Sequence, residues 1–218
     1  MGTRNIGFFR LLISYFLPRL PPPGTLSLES CTFSTYLCPM RKLSMDELNR
    51  KSVHEFKEAK KIPVVVVLDN IRSMHNVGSV FRTADAFLLR GIYLCGYTPQ
   101  PPHRDIHKTA LGATETVEWK YAETTVEAVQ RLKADGYQVY AVEQVQNSIP
   151  LNQFDLNQSA VAVVFGNEVS GVEQEVIKLC DGCIEIPQLG MKHSLNISVA
   201  AGIVLWELVR TSISIGNT

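Results

Sequence analysis

Ala160-Val161-Ala162-Val163-Val164-Phe165-Gly166-Asn167-Glu168-Val169-Ser170-Gly171 sets an unbroken apolar run directly against a loop of Gly, Asn, Glu and Ser. An apolar run without alternation is the pattern of a strand covered on both faces, as in a parallel sheet flanked by helices. The junction recurs twice. Val64-Val65-Val66-Val67-Leu68 leads by a short turn to Asn76-Val77-Gly78-Ser79-Val80-Phe81-Arg82, and Cys183-Ile184-Glu185-Ile186 runs into Pro187-Gln188-Leu189-Gly190-Met191-Lys192-His193-Ser194-Leu195-Asn196. Such loops at strand ends expose backbone N–H and C=O groups with little side-chain bulk, which is where an α/β sheet holds its ligand. One Arg, one Glu and a Ser/Asn pair among these loops describe a site rather than a core.

Working outward, Ser44 and Glu47 have the spacing of a capping box and predict a charged helix running to about Lys60. A helix from about Val77 to Leu89 leads to a strand at Ile92–Cys95. Residues 97–112, with Pro99, Pro101 and Pro102, read as a loop. A short strand around Val117–Trp119 follows, then a helix from about Thr125 to Ala134 with Gly136 as its stop. Further strands are Gln138–Val142, Ala160–Phe165 and Cys183–Ile186, and a long helix from about Leu195 to Thr211 closes the chain. Strands alternating with helices predict an α/β fold, a mostly parallel sheet covered by helices. No internal repeat is visible.

The 218 residues are 45% hydrophobic, enough for a real core, and carry 21 basic and 21 acidic side chains. No net field draws the chain to a polyanion or a membrane, although a local basic patch is compatible with neutrality. Five cysteines without the spacing of a disulfide scaffold fit a reducing, cytoplasmic setting. No uncharged apolar run approaches the roughly 18 residues of a membrane-spanning helix. Residues 1–39 hold Arg4, Arg10 and Arg19 against one acid, Glu29, with the run Pro21-Pro22-Pro23-Gly24. An organelle transit peptide, a secretory signal or an upstream extension all compete there. The extension, disordered and followed by a start at Met40, is the favoured expectation. The expected organisation is residues 1–39 as that extension, 40–62 as a short charged helical segment and 63–218 as the domain.

At the three loops the chain closely resembles the SpoU (TrmH-like) branch of the SPOUT class of RNA ribose 2′-O-methyltransferases. The first loop matches Asn-x-Gly-Ser-x-x-Arg, the second Phe-Gly-x-Glu-x-x-Gly, and the third Ile-Pro-x-x-Gly-x-x-x-Ser-Leu-Asn-x-Ser-x-Ala, in the family's order. The resemblance covers roughly Pro63 to the C-terminus. It implies a deep C-terminal trefoil knot, S-adenosylmethionine as methyl donor, no metal, an RNA substrate (transfer or ribosomal RNA) and a two-fold homodimer with sites at or near the interface.

The resemblance places the cofactor at Gly166, Ile186 and Leu195. The backbone reading adds Leu189 and Gly190: glycines let the loops approach an adenosine while Ile186, Leu189 and Leu195 form an apolar slot. Arg82 matches the family's catalytic arginine. A guanidinium has five donors and no acceptor, so Arg82 is expected to grip a phosphate or the developing alkoxide rather than to take the 2′-hydroxyl proton. Asn76 is either the N-cap of its helix, a site residue, or both. Glu168 is a surface carboxylate or the group that orients Arg82 and the cofactor. Ser194 and Asn196 open the last helix as cap or ligand contacts. Arg210 is a candidate for a further family arginine, but its spacing from Asn196 does not fit and it is not carried over.

Cys180-Asp181-Gly182-Cys183 lacks a second ligand pair for zinc, does not open a helix, and reads as structural packing. His103, Arg104, His107 and Lys108 are either a solvated loop or an RNA contact. Lys51, Lys57, Lys60 and Lys61 alternate with Glu55 and Glu58 as a solvent face. The last helix, apolar on more than one side at Ile197, Val199, Ala200, Ile203, Val204, Trp206 and Leu208, is expected to be buried in part against a second subunit. With only about 23 residues between Met40 and Pro63, no separate RNA-binding domain fits, which favours transfer over ribosomal RNA. A catalytically inactive knotted RNA-binding protein is the alternative. A Rossmann oxidoreductase needs a Gly-x-Gly-x-x-Gly after the first strand, where Leu68-Asp69-Asn70-Ile71-Arg72 stands instead.

Overall fold

The computed structural model describes residues 41–44, 46–155, 160–192 and 194–215, with side chains described as far as Arg210. The expectations for residues 1–39 lie outside these. Contacts divide the chain into Met1–Glu47 and Leu48–Thr218, each described by itself. In the first, Glu47 accepts from the Ser44 amide at 2.8 Å and pairs with Arg41 at 2.6 Å.

The second unit is built on seven strands: β1 Ile62–Asp69, β2 Leu89–Cys95, β3 Trp119–Ala122, β4 Gln138–Val142, β5 Ile149–Pro150, β6 Val161–Phe165 and β7 Gly182–Glu185. Their order is β3-β2-β1-β6-β4-β7-β5, and every pairing is parallel. The helices are α1 Val53–Glu58, α2 Met74–Ala86, α3 Arg104–Ala110, α4 Ala113–Thr116, α5 Thr125–Ala134, α6 Gln174–Leu179 and α7 Ile197–Ile215. On central β1, Val64, Val66 and Leu68 meet α2, α3 and α7, while Val65 and Val67 meet α5 and α6. Two apolar faces explain the unbroken valine run: with helices on both sides, neither alternate position faces water.

Several element boundaries differ from expectation. The charged helix does not run from Ser44 to Lys60. The chain makes a 3-10 turn at Asp46–Leu48, takes a left-handed conformation at Asn49 (φ 44°), and restarts on a second capping box, Ser52 with Glu55. α2 starts three residues before Val77, because Ser73 is its N-cap and accepts from the Asn76 amide at 3.3 Å. It stops before Leu89, where Leu88 turns left-handed (φ 54°). The stretch 97–112, expected as loop, holds α3, capped by the unusual acceptor His103 Nδ1. The first residue of α7 is Ile197, and Asn196 caps it by accepting from the Ser198 amide at 2.9 Å; Ser194 is not the cap. No helix among the described residues is long and apolar enough to cross a membrane.

Candidate active site

Because every strand is parallel, the loops after β1, β4, β6 and β7 meet at one edge of the sheet, the edge where such sheets hold ligands. The loop after β6 is closed on itself by paired bonds, Asn167 N to Gly171 O at 3.0 Å and Gly171 N to Asn167 O at 2.9 Å. Gly166 has no room for a side chain there: a Cβ would stand 2.1 Å from the carbonyl carbon of Gly171. Asn167 is buried and uses both ends of its amide. Its Oδ1 accepts from the Val169 and Ser170 amides at 2.8 and 3.2 Å, and its Nδ2 donates to Asn70 O and Tyr97 Oη, each at 2.7 Å. Beneath it, buried Asp69 accepts from the Thr125 hydroxyl, from Asn70 Nδ2 at 3.1 Å and from the Glu173 amide at 3.3 Å. The loop is thereby tied to the ends of β1 and β2.

Glu168 reaches from this loop to the head of α2. Its carboxylate accepts from the Arg72 amide at 3.0 Å, the Ser73 amide at 3.1 Å and Asn76 Nδ2 at 3.0 Å. A carboxylate on the free amides of a helix N-terminus satisfies orphan donors and opposes the helix dipole. Burial, the largest single influence, pushes the Glu168 carboxyl up. The bonds from Arg72, its own loop backbone, Asn76 and Ser73 together outweigh it and hold the group below the usual carboxylate range. A depressed folded-state value means stability that is present above the unfolded value and lost as pH falls through the folded one. Between pH 7 and acid, Glu168→Gln should therefore lose less stability than the parent chain. Denaturant midpoints across that range check it, and parallel pH profiles would contradict it. Glu168 thus orients the helix that carries Arg82 and makes no bond to Arg82 itself. Asn76, in the first turn of α2 rather than at its cap, holds that carboxylate.

A cavity of about 560 Å³ opens beside these loops at the ends of β4, β6 and β7. Of the residues expected from sequence, Gly166, Glu168, Ile186, Ser194, Leu195 and Asn196 line it. Four others do not. Asn76 lies beneath Glu168; Leu189 is fully exposed; nothing stands within 4 Å of a Cβ built on Gly190; and Arg82 is exposed, its side chain making no hydrogen bond or ion pair to another described residue. Leu189 and Gly190 therefore form no slot within this chain. The loop between Ile186 and Asn196 makes no backbone bond among the described residues that would draw its tip inward. Glu143, Gln144, Asn167 and Gln188 line the cavity and were missed by the sequence reading. A signal existed for the first two, since any residue following a parallel strand reaches this edge.

The cavity's charge is one-sided. Glu143, Glu168 and Glu185 line it, and no Lys, Arg or His is among its described lining residues. Such a site favours a cation and offers no counter-charge to the phosphates of a dinucleotide. Elsewhere, Arg210 pairs with Glu207 at 2.7 Å on α7. Burial raises the Cys180 thiol to about 12 and also lifts Cys183, and no group of His, Cys, Asp and Glu among the described residues could hold a metal.

Residues 63–206 match the model of the SpoU rRNA Methylase family. The tRNA (guanosine(18)-2′-O)-methyltransferase of Thermus thermophilus is 32% identical over 170 residues, covering 78% of this chain and 86% of that enzyme. The TrmH/SpoU tRNA modifying enzyme of A. aeolicus superposes with a TM-score of 0.68 at 28% identity, over 75% of this chain and 82% of that one. The AdoMet-bound rRNA methyltransferase of Sinorhizobium meliloti superposes with a TM-score of 0.65 at 29% identity, over 72% of this chain; the match spans 60% of that protein.

Proposed function

The chain belongs to the SpoU rRNA Methylase family, and on that premise we propose that it transfers a methyl group from S-adenosylmethionine to a ribose 2′-hydroxyl of RNA, with transfer RNA the favoured substrate. The observation that carries this reading is the acidic cavity between the loops after β6 and β7. Its residues suit the donor: Gly166, Ile186 and Leu195 offer backbone edges and apolar surface to an adenosine, and the three carboxylates favour a sulfonium cation. When bound, S-adenosylmethionine supplies an electrophilic methyl group. Glu168 fixes the donor loop to the head of α2, so the helix bearing Arg82 is held in a set relation to the cavity, and holding that geometry is a large part of such catalysis. Arg82, with five donors and no acceptor, grips a phosphate or the developing alkoxide; the proton leaves to phosphate or water.

Arg82 does not line the cavity of its own chain, and Val199, Ile203 and Trp206 leave an exposed apolar face on α7, whose first turn borders that cavity. A homodimer joined near α7, on the knotted fold of the family, accommodates both observations. The test is a calorimetric titration with S-adenosylmethionine, followed by incubation with bulk transfer RNA or ribosomal RNA and nucleoside mass spectrometry. Saturable donor binding, a new 2′-O-methylnucleoside and sedimentation at twice the chain mass are expected. Donor binding without transfer would favour the inactive RNA-binding alternative, and no donor binding would remove the enzyme reading.

A further inference from the structure

We propose that the outward face of α3, carrying Arg104, His107 and Lys108, is the surface that holds the RNA backbone while a ribose is presented to Arg82; the inference rests on the RNA methyltransferase reading. α3 buries Ile106 and Ala110 and leaves Arg104, His107 and Lys108 exposed, the i, i+3, i+4 spacing of one helix face. Its seat is α2, the helix of Arg82. Gly78, one turn before Arg82, takes α3 at backbone distance: a Cβ there would stand 2.1 Å from Thr109 Oγ1 and 2.3 Å from the Ile106 carbonyl oxygen. The Thr109 hydroxyl also donates to the His75 carbonyl at 3.0 Å. A close crossing, pinned by the Thr109 side chain, fixes the cations of α3 relative to Arg82.

The pairing of the arginines singles out this helix pair. Among the described residues, Arg41, Arg90, Arg131 and Arg210 each stand within 4 Å of a carboxylate. Arg72 at the head of α2, Arg82 on α2 and Arg104 on α3 have no such partner; outside this pair, only Arg50 among the described arginines is likewise unpaired. The acid on α3, Asp105, is bonded to Lys108 at 2.6 Å. Its carboxyl is held below the usual carboxylate range by Lys108 first. In a chain whose 21 basic and 21 acidic groups cancel, this is a local surplus of unpaired planar donors. Guanidinium forks match phosphate oxygens, and a backbone-holding surface needs no base-reading groups.

The experiment measures binding of bulk transfer RNA as a function of salt for the parent chain, for the triple variant Arg104→Ala/His107→Ala/Lys108→Ala, and for a control, Lys57→Ala/Lys60→Ala on and just after α1. All five side chains are exposed, so folding is spared. The α3 variant should bind RNA at least about tenfold more weakly at moderate salt. Its slope of log affinity against log salt should fall by roughly 0.7–0.9 for each phosphate that the variant no longer neutralises. Its affinity for S-adenosylmethionine should be unchanged, and the α1 control should keep the parent slope. An unchanged slope in the α3 variant, or an equal loss in the control, overturns the proposal. RNA binding is read without turnover, so a parent chain that binds RNA through α3 but methylates nothing would count against the enzyme reading alone.

Discussion

Arg82→Lys should lower kcat by about 10²–10³, the usual consequence of removing one preorganised donor from a site of developing negative charge, while leaving the affinity for S-adenosylmethionine unchanged. Lysine keeps the charge but presents a single rotating ammonium in place of a planar fork, so it cannot make the paired bond to phosphate or alkoxide. The structure makes this substitution unusually clean. The Arg82 side chain is exposed, bonds to no other described residue and lies outside the cavity lining, so its replacement disturbs neither the core nor the donor site. Thermal unfolding should shift little, consistent with a surface change within about 0.5 kcal/mol. Single-turnover kinetics with saturating donor and RNA separate the chemical step from binding. Near-parental turnover in Arg82→Lys would remove Arg82 from the reaction.

Gly166→Ala should weaken donor binding and lower turnover by about 10²-fold, because an ångström-scale misplacement at a positioning loop costs rate on that order. The added methyl would meet the Gly171 carbonyl carbon and the Val172 amide nitrogen at 2.1 Å, and the Gly171 carbonyl oxygen at 2.4 Å. These are backbone atoms, so relief requires the paired bonds between Asn167 and Gly171 to open. Overpacking of this kind also costs about 1–3 kcal/mol of stability. Gly190→Ala is the matched comparison: nothing in the chain stands within 4 Å of its added methyl, and donor affinity should hold. Calorimetry on both variants decides the matter, and equal affinities would show that closure of the loop after β6 does not shape the donor site.

How much of this was legible in the sequence depends on how local the determining interaction is. The strands were readable because a valine run buried on two faces needs no alternation, and β1 (Ile62–Asp69) and β6 (Val161–Phe165) lie over the runs Val64–Leu68 and Ala160–Phe165 that announced them. α3 was hidden by the prolines before it and by a cap, His103, that is not among the favoured capping types. Asn76 drew attention as a cap, yet Ser73 already filled that role; the amide side chain was free for Glu168. The partners of Glu168 could not be read at all, since no local pattern relates residues 92 positions apart. Leu189 and Gly190 were placed by the backbone reading of an apolar, glycine-lined slot, and the described loop leaves both outside the cavity.

The Glu168 bridge has a consequence for the order in which this molecule is made. The amides of Arg72 and Ser73 leave the ribosome more than ninety residues before the carboxylate that satisfies them. Until the strand preceding Glu168 adds to the growing sheet, the first turn of α2 has its local Ser73 cap but the Arg72 and Ser73 amides ahead of it lack their carboxylate, and loop closure over that separation is slow relative to local helix formation. A nascent chain stopped anywhere before Glu168 can therefore seat its arginine helix against α3 but lacks the carboxylate bridge at its head, which closes only when synthesis has passed that point.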